Sequence, residues 1–404
     1  MIMLEFRLAG KPQQFNAIDE AIRTTQFIRN KRVRYWQDTR GITPSDLNKY
    51  CASLAQEYAF VRKLNSMARQ AAAERAGAAI TRFYKNCRAK KLGKKGYPRF
   101  QKDCRSVEYK TTGWTLDAMR RHLTLTDGME AGTFKLKGTR DLLGYALGAI
   151  KRVRLLRRAD GHYAQFAIDA DRHVTVTPSG TAIGIDLGLT HFYTDSGGHE
   201  KENPRFLRRS ERALKRLGRR VSRKVKGSKN RAKARIRLAR KHLQVQRQRR
   251  DFAAKTARAL VMSNDVIAYE DLRVANMVKN RHLSKSISDA GWRTFRTWLE
   301  YLAQVYSKVV VAVPPAYTTQ ECSRCGTLVK KALSERTHVC PKCGLVLGRD
   351  HNAAVTILSR GLSLLAHTTV GHHGKSRLGR EEPLHATEDC GVQARSLNQE
   401  SHIL

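Results

Sequence analysis

Acidic residues are scarce in this chain: 35 Asp and Glu stand against 77 Lys and Arg in 404 residues. A formal charge of +42 makes the folded state self-repulsive unless a polyanion neutralises it, so nucleic acid is the expected partner. Long apolar runs are also missing. Nothing approaches the ~20 consecutive apolar residues of a membrane-spanning helix, and no membrane partner is expected. Met1–Gly10 shows no apolar leader core and no cleavage pattern, and no repeat of solenoid length is visible. What remains is ample for a core: 41% of residues are hydrophobic, and this length calls for two or three domains rather than one.

Four of the eight cysteines, Cys51, Cys87, Cys104 and Cys390, are scattered, while Cys322, Cys325, Cys340 and Cys343 form two Cys-x-x-Cys knuckles. A turn-forming glycine follows each knuckle, Gly326 and Gly344, which lets four thiolates converge on one tetrahedral zinc ion. Two disulfides are the alternative pairing. Nothing else in the chain points to secretion, so a reducing cytoplasm and one structural Zn²⁺ are expected.

Along the chain, Met3–Leu8 alternates as a strand. A helical region follows, with Ile18, Ala21, Ile22, Phe27 and Ile28 on a helical period and an alanine-rich helix over Ser66–Cys87. Gly96-Tyr97-Pro98-Arg99-Phe100 breaks this pattern. Short strands are then expected at 123–126, 133–136, 150–156 and 163–168. From 181 the texture changes to an apolar strand ending in Asp186, and His191–Gly198 can pair back on it. Residues 205–260 read as a basic helical pair hinged near Gly227-Ser228. Between 201 and 250 there are 22 Lys or Arg, opposed only by Glu202 and Glu211, which exceeds an ordinary solvated face and suggests phosphate contacts, for example by Arg219, Arg220, Arg223 and Lys224. Strands are expected at 265–270 and 309–313, with a helix over 290–306 between them. From Gly361 onward His, Gly and charge mix without periodicity, and a disordered tail is expected over 361–404.

Alternating strands and helices suggest a mixed α/β sheet, whose functional carboxylates stand at strand ends and helix starts. Asp186 and Glu270 each close an apolar strand; Asp350 opens the helix continued by Ala353, Ala354 and Ile357. Three such acids can hold two Mg²⁺ ions for phosphodiester hydrolysis without a covalent enzyme intermediate. Taken singly, Asp350 could be an N-cap, Glu270 an exposed strand end, and Asp186 the partner of a glycine turn.

Several segments together carry a resemblance: Gly184-Ile185-Asp186-Leu187-Gly188, Tyr269-Glu270-Asp271-Leu272, Ser286–Trp292, Pro314–Gln320, Cys322–Gly326 and Arg349–Ala354. They resemble the successive motifs of TnpB proteins, which are encoded by insertion sequences and are related to the type V CRISPR effectors. The resemblance is detailed from about 180 to 360. Before that it rests on Phe6-Arg7-Leu8 and Gly96–Phe100. It departs at Thr319, where many relatives have serine. The fold it implies is multidomain α/β: an RNase H-like RuvC nuclease domain (179–315 and 350–360) with an inserted zinc ribbon (316–349). An N-terminal β-barrel wedge domain (1–15 and 105–178) would be interrupted by a helical recognition domain (16–104). The implied activity is RNA-guided, Mg²⁺-dependent DNA cleavage by a prokaryotic, nucleoid-associated monomer. A guide RNA would pair with one strand of a double-stranded DNA target, and the protein would read a short adjacent motif. That direct readout is expected near Gln70 and in the Tyr109–Thr115 segment. The competing expectations are a non-cleaving nucleic-acid-binding regulator and an unguided RuvC-like transposase or resolvase.

Overall fold

The computed structural model describes residues 1–370 apart from Arg40 and Leu333, in two compact units that divide after Arg172. In the first, β1 (Ile2–Ala9) buries its alternate residues Ile2, Leu4, Phe6 and Leu8, as a strand with one face on a core must. Four helices follow before the chain returns to strands: α1 (Pro12–Asp38), α2 (Pro44–Glu57), α3 (Ala59–Lys63) and α4 (Ser66–Arg88). Proline opens α1 and α2, where its missing N–H costs nothing. Alanines 68, 71, 72, 73 and 76 are buried on α4, and their small side chains let α1 pack closely on it.

Strands β2 (Ser106–Tyr109), β3 (Trp114–Leu116), β4 (His122–Leu125), β5 (Gly132–Lys137), β6 (Ile150–Arg158) and β7 (Gly161–Ile168) complete a seven-stranded antiparallel sheet in the order β2-β6-β7-β1-β5-β4-β3. Consecutive strands β2 and β3 thus lie at opposite edges, joined only by residues 110–113. Five residue steps reach at most ~18 Å, whereas seven flat strands would span ~29 Å. The sheet must therefore curl into a half-barrel. Among the described residues no ladder joins β2 to β3, so the β-barrel expected from the resemblance takes the form of an open half-barrel. The linking residues are engaged by α4 instead: Lys110 pairs with Glu74 and Gln70, and Gly113 lies against Asn65.

The second unit holds the order β10-β9-β8-β11-β12. Strands β8 (Ala182–Asp186), β9 (His191–Asp195) and β10 (Glu200–Glu202) form antiparallel hairpins, and β11 (Val266–Glu270) and β12 (Val309–Val313) run parallel to β8. The basic pair is α5 (Phe206–Ser222) and α6 (Lys229–Ser263). Helices α7 (Val274–Met277), α8 (Ser284–Ala290) and α9 (Trp292–Val305) lie between β11 and β12. A two-stranded ribbon, β13 (Thr337–Val339) with β14 (Val346–Gly348), precedes α10 (Arg349–Val370). Strand alternation sorts the faces. Ile185, Ile267 and Tyr269 join the core with residues of α6 and α9, while Ala268 and Val313 pack with Ile357 of α10.

Two boundaries differ from expectation. Residues 173–178 belong with the second unit, and Val174 N donates to Val305 O at 2.8 Å. The disorder expected from 361 does not hold over 361–370, because α10 runs unbroken to Val370. Gly361 is a contact point rather than a helix end: a Cβ there would stand 2.5 Å from Ala268 Cβ. The rest of that expected tail, 371–404, lies outside the described residues. No described helix is long and apolar enough to cross a membrane.

Candidate active site and zinc centre

Asp186 and Glu270 are the last residues of neighbouring parallel strands, with Ile185 and Tyr269 in register just before them. Period-two alternation therefore aims both carboxylates at the α10 face of the sheet. Asp350 stands in the first turn of α10, where the helix dipole favours a negative charge. Gly184 sets the distance between helix and strand. A Cβ at this position would come within 2.7 Å of Leu358 N and closer still to Ala354 O.

Asp186 and Glu270 are buried, while the Asp350 side chain keeps 29% of its exposure. Burial pushes the Asp186 carboxyl well above the usual range; the negative charges of Glu270 and Asp350 push the same way, and Arg349 only partly opposes them. Glu270 is also raised by burial, against a hydrogen bond from the Thr318 hydroxyl and the charge of Arg360. A buried acid raised further by the charges of two neighbouring carboxylates marks a site short of positive charge, as a site for hard cations requires. Their oxygens are not gathered within 4.8 Å of one another, unlike the thiolates described next.

Residues around the acids fix their positions. Thr318, fully buried, donates to Glu270 Oε1. Arg349 Nε donates to Asp350 Oδ1 at 3.1 Å. Asn352, also fully buried, donates from Nδ2 to Glu321 O at 2.7 Å and accepts from Ser323 N at 3.0 Å. One side chain, two residues past Asp350, thereby ties the first cysteine knuckle to α10. Arg360 grips the same segment through Glu321 and the carbonyl of Ala316. Sequence reasoning quoted the motifs containing Thr318 and Asn352 but assigned these residues no role, and it missed Arg360. It also passed over Asp289, whose carboxylate accepts from Leu207 N and Arg208 N and so caps the start of α5.

The four cysteines converge as their spacing predicts. Cys322 Sγ lies 3.6 Å from Cys343 Sγ, and Cys325 Sγ lies 3.5 Å from Cys340 Sγ. Thiolates at zinc–sulfur distances of roughly 2.3 Å in a tetrahedron stand ~3.8 Å apart, so the set fits one zinc ion. The knuckles repeat one hydrogen-bond pattern: Gly326 N donates to Cys322 O at 2.9 Å, and Gly344 N donates to Cys340 O at 3.0 Å. Both glycines sit at φ near +70°, a left-handed turn that favours a residue without Cβ. Hydrogen bonding with Thr327 draws the Cys325 thiol down to about 6.

Arg219, Arg220, Arg223 and Lys224 are exposed at the C-terminal end of α5, whose inward stripe is Ser210, Leu214 and Gly218. Gln70 is on α4 and accepts from Lys110 Nζ at 3.2 Å. The neighbouring expectation is corrected at one end. Tyr109 is fully buried and donates to Asp127 Oδ2 at 2.9 Å, so its ring is part of the core and cannot touch a base.

A family model described as a probable transposase matches residues 165–281, and one for the Cas12f1-like TNB domain matches 292–357. A Streptomyces pristinaespiralis protein, provisionally named an RNA-guided DNA endonuclease, is 34% identical, covering 83% of this chain and 80% of that protein. InsQ of Escherichia coli K12, provisionally named likewise, is 30% identical over 71% of this chain and 73% of its own length. Among solved structures, the fold is similar to a Cas12f1 protein determined in complex with sgRNA and target DNA. There the TM-score is 0.50 at 15% identity, covering 85% of this chain and 81% of that one.

Proposed function

The chain belongs to the TnpB family, and from that premise we propose that it is an RNA-guided DNA endonuclease whose active site is Asp186, Glu270 and Asp350. The observation that supports this reading is their placement: two adjacent strand ends and one helix start put the three carboxylates on one face of the sheet, with Asp186 close enough to feel the charges of the other two. Mg²⁺ ions bound by these acids would supply an activated water and charge stabilisation for the leaving oxygen of a phosphodiester. Thr318 keeps Glu270 oriented, and Arg349 holds Asp350. In this reading the second unit is an RNase H-like RuvC domain. Its zinc ribbon, Ala316–Arg349, contacts target nucleic acid and positions α10 through Asn352. The first unit is then a wedge sheet with an inserted helical recognition region.

Recognition follows from charge. A protein of +42 holds guide and target mainly through phosphates, so sequence choice falls to base pairing with the guide. The test is cleavage of a matched plasmid by protein purified with its RNA, using Asp186→Ala, Glu270→Ala and Asp350→Ala. Each variant is expected to abolish cutting and leave RNA and target binding nearly intact. Cutting within about tenfold of wild type would remove that residue from the site. Protein that binds a defined RNA and its target yet never cuts would make this chain a guided regulator.

A further inference from the structure

The segment 95–101 has no regular secondary structure, yet its backbone is held at four places. Asn86 Nδ2 donates to Lys95 O at 3.0 Å, Gln37 Nε2 to Pro98 O at 3.1 Å, and Arg29 Nη1 to Arg99 O at 3.1 Å. Asn30 and Gln101 close the end reciprocally, at 2.9 and 2.8 Å. Side chains of α1 and α4 thus fix a strap whose own Tyr97 is 52% exposed. Beside it, Tyr84 is 47% exposed. Beneath these two, Trp36 and Phe83 make tilted and edge contacts: Trp36–Tyr97 at 5.5 Å, Phe83–Tyr97 at 5.3 Å and Trp36–Tyr84 at 5.9 Å between ring centres. Trp36 Nε1 also donates to the Tyr84 hydroxyl at 3.2 Å.

Rings held this firmly by hydrogen bonds and other rings lose little freedom when a ligand arrives, which is how a stacking surface is made. Its flank identifies the ligand. Arg88, Lys90, Lys91, Lys94 and Lys95 are all exposed, no acid interrupts them from 88 to 95, and none pairs with an acid among the described residues. Exposed rings next to unpaired cations suit bases on a phosphate backbone, and only unpaired bases offer a free face. We propose that Tyr84 and Tyr97 form a platform on which unpaired nucleotides stack, their phosphates held by the Arg88–Lys95 loop. The proposal depends on the nucleic-acid reading above but not on cleavage.

The direct test cross-links full-length protein to 4-thiouridine RNA and 4-thiothymidine DNA 15-mers, or to a duplex, and maps the modified peptides by mass spectrometry. Adducts on Tyr84 or Tyr97 are expected with the unpaired oligomers and not with the duplex. Stronger labelling by RNA assigns the guide as the source, and stronger labelling by DNA assigns the displaced strand; either supports the platform. In titrations, Tyr84→Ala/Tyr97→Ala should weaken binding of unpaired oligomers by about tenfold or more, with the salt slope unchanged and thermal stability close to wild type. Tyr84→Phe/Tyr97→Phe should retain binding, since the rings persist. Replacing Lys90, Lys91, Lys94 and Lys95 with Ala should instead flatten the salt slope. An alanine pair that binds within twofold of wild type, or loses duplex and unpaired oligomers equally, overturns the platform. Asp186→Ala, run alongside, separates the two readings: it should stop cutting and leave cross-linking at Tyr84 and Tyr97 unchanged.

Discussion

Gly184→Ala should disable the proposed catalytic site without removing any functional group. The added methyl would meet the backbone of α10, 2.7 Å from Leu358 N and nearer still to Ala354 O. Neither atom can rotate away as a flexible side chain could. Relief requires moving α10 away from β8 by the better part of an ångström, and Asp350 travels with the helix while Asp186 stays on the strand. Overpacking of this kind costs about 1–3 kcal/mol, roughly 2–10 °C in Tm for a unit of this size. A displacement near 1 Å between catalytic groups costs on the order of 10²-fold in rate. Single-turnover cleavage of a guide-matched duplex measures the second effect and differential scanning calorimetry the first. Gly144→Ala, whose methyl meets nothing within 4 Å, is the neutral control. A Gly184→Ala protein that cuts within about threefold of wild type at unchanged Tm would refute the claim that this close approach sets the carboxylate geometry.

Cys322→Ser should lower the zinc content from about one per chain and loosen the ribbon, because structural zinc supplies folding free energy; a zinc-free protein with full activity would make the ribbon dispensable. Glu108, buried between Arg75, Arg152 and Arg154, should give the first unit an acid-sensitive step. Burial raises its carboxyl, but the arginines outweigh that and bring it to about 2. Because the folded value lies below the unfolded one, the stabilisation is present above pH ~4.5. It is lost as pH falls from there toward 2. Glu108→Gln should remove that step and cost about 3–5 kcal/mol at neutral pH; an unchanged acid-unfolding curve would contradict it. Replacing Arg219, Arg220, Arg223 and Lys224 with Ala should reduce the log–log salt slope of nucleic-acid binding by up to about 3–4 units and leave target preference alone. An unchanged slope would make this end of α5 a solvated face.

Several features were legible in the sequence because the physics behind them is local. Two Cys-x-x-Cys knuckles with glycines must turn back on themselves, and the four Sγ atoms do converge. Short apolar runs placed β8, β11 and β12 almost residue for residue, and the break at Gly227 fell between α5 and α6. Asp186, Glu270 and Asp350 were identifiable as carboxylates at strand ends and a helix start. Their lying on one face of the sheet depended on parallel register across β8 and β11 and on where α10 lies. These are contacts between segments far apart in the chain, on which no local periodicity reports. The same limit hid Thr318, Asn352 and Arg360, polar residues whose roles exist only because the segment 316–323 folds onto β11 and α10. It also misplaced Tyr109, a ring that alternation alone leaves free to point either way and that the curled sheet buries. The mixed composition from Gly361 onward read as a tail. Packing against Ala268 reversed that for 361–370, since a glycine that weakens an isolated helix is what lets this one lie close to the sheet. Composition and spacing thus determined the charge of the chain, its four-cysteine cluster and its candidate carboxylates. Only the tertiary structure decided which carboxylates, hydroxyls and amides meet, because a buried charge is set by neighbours brought together from distant parts of the chain.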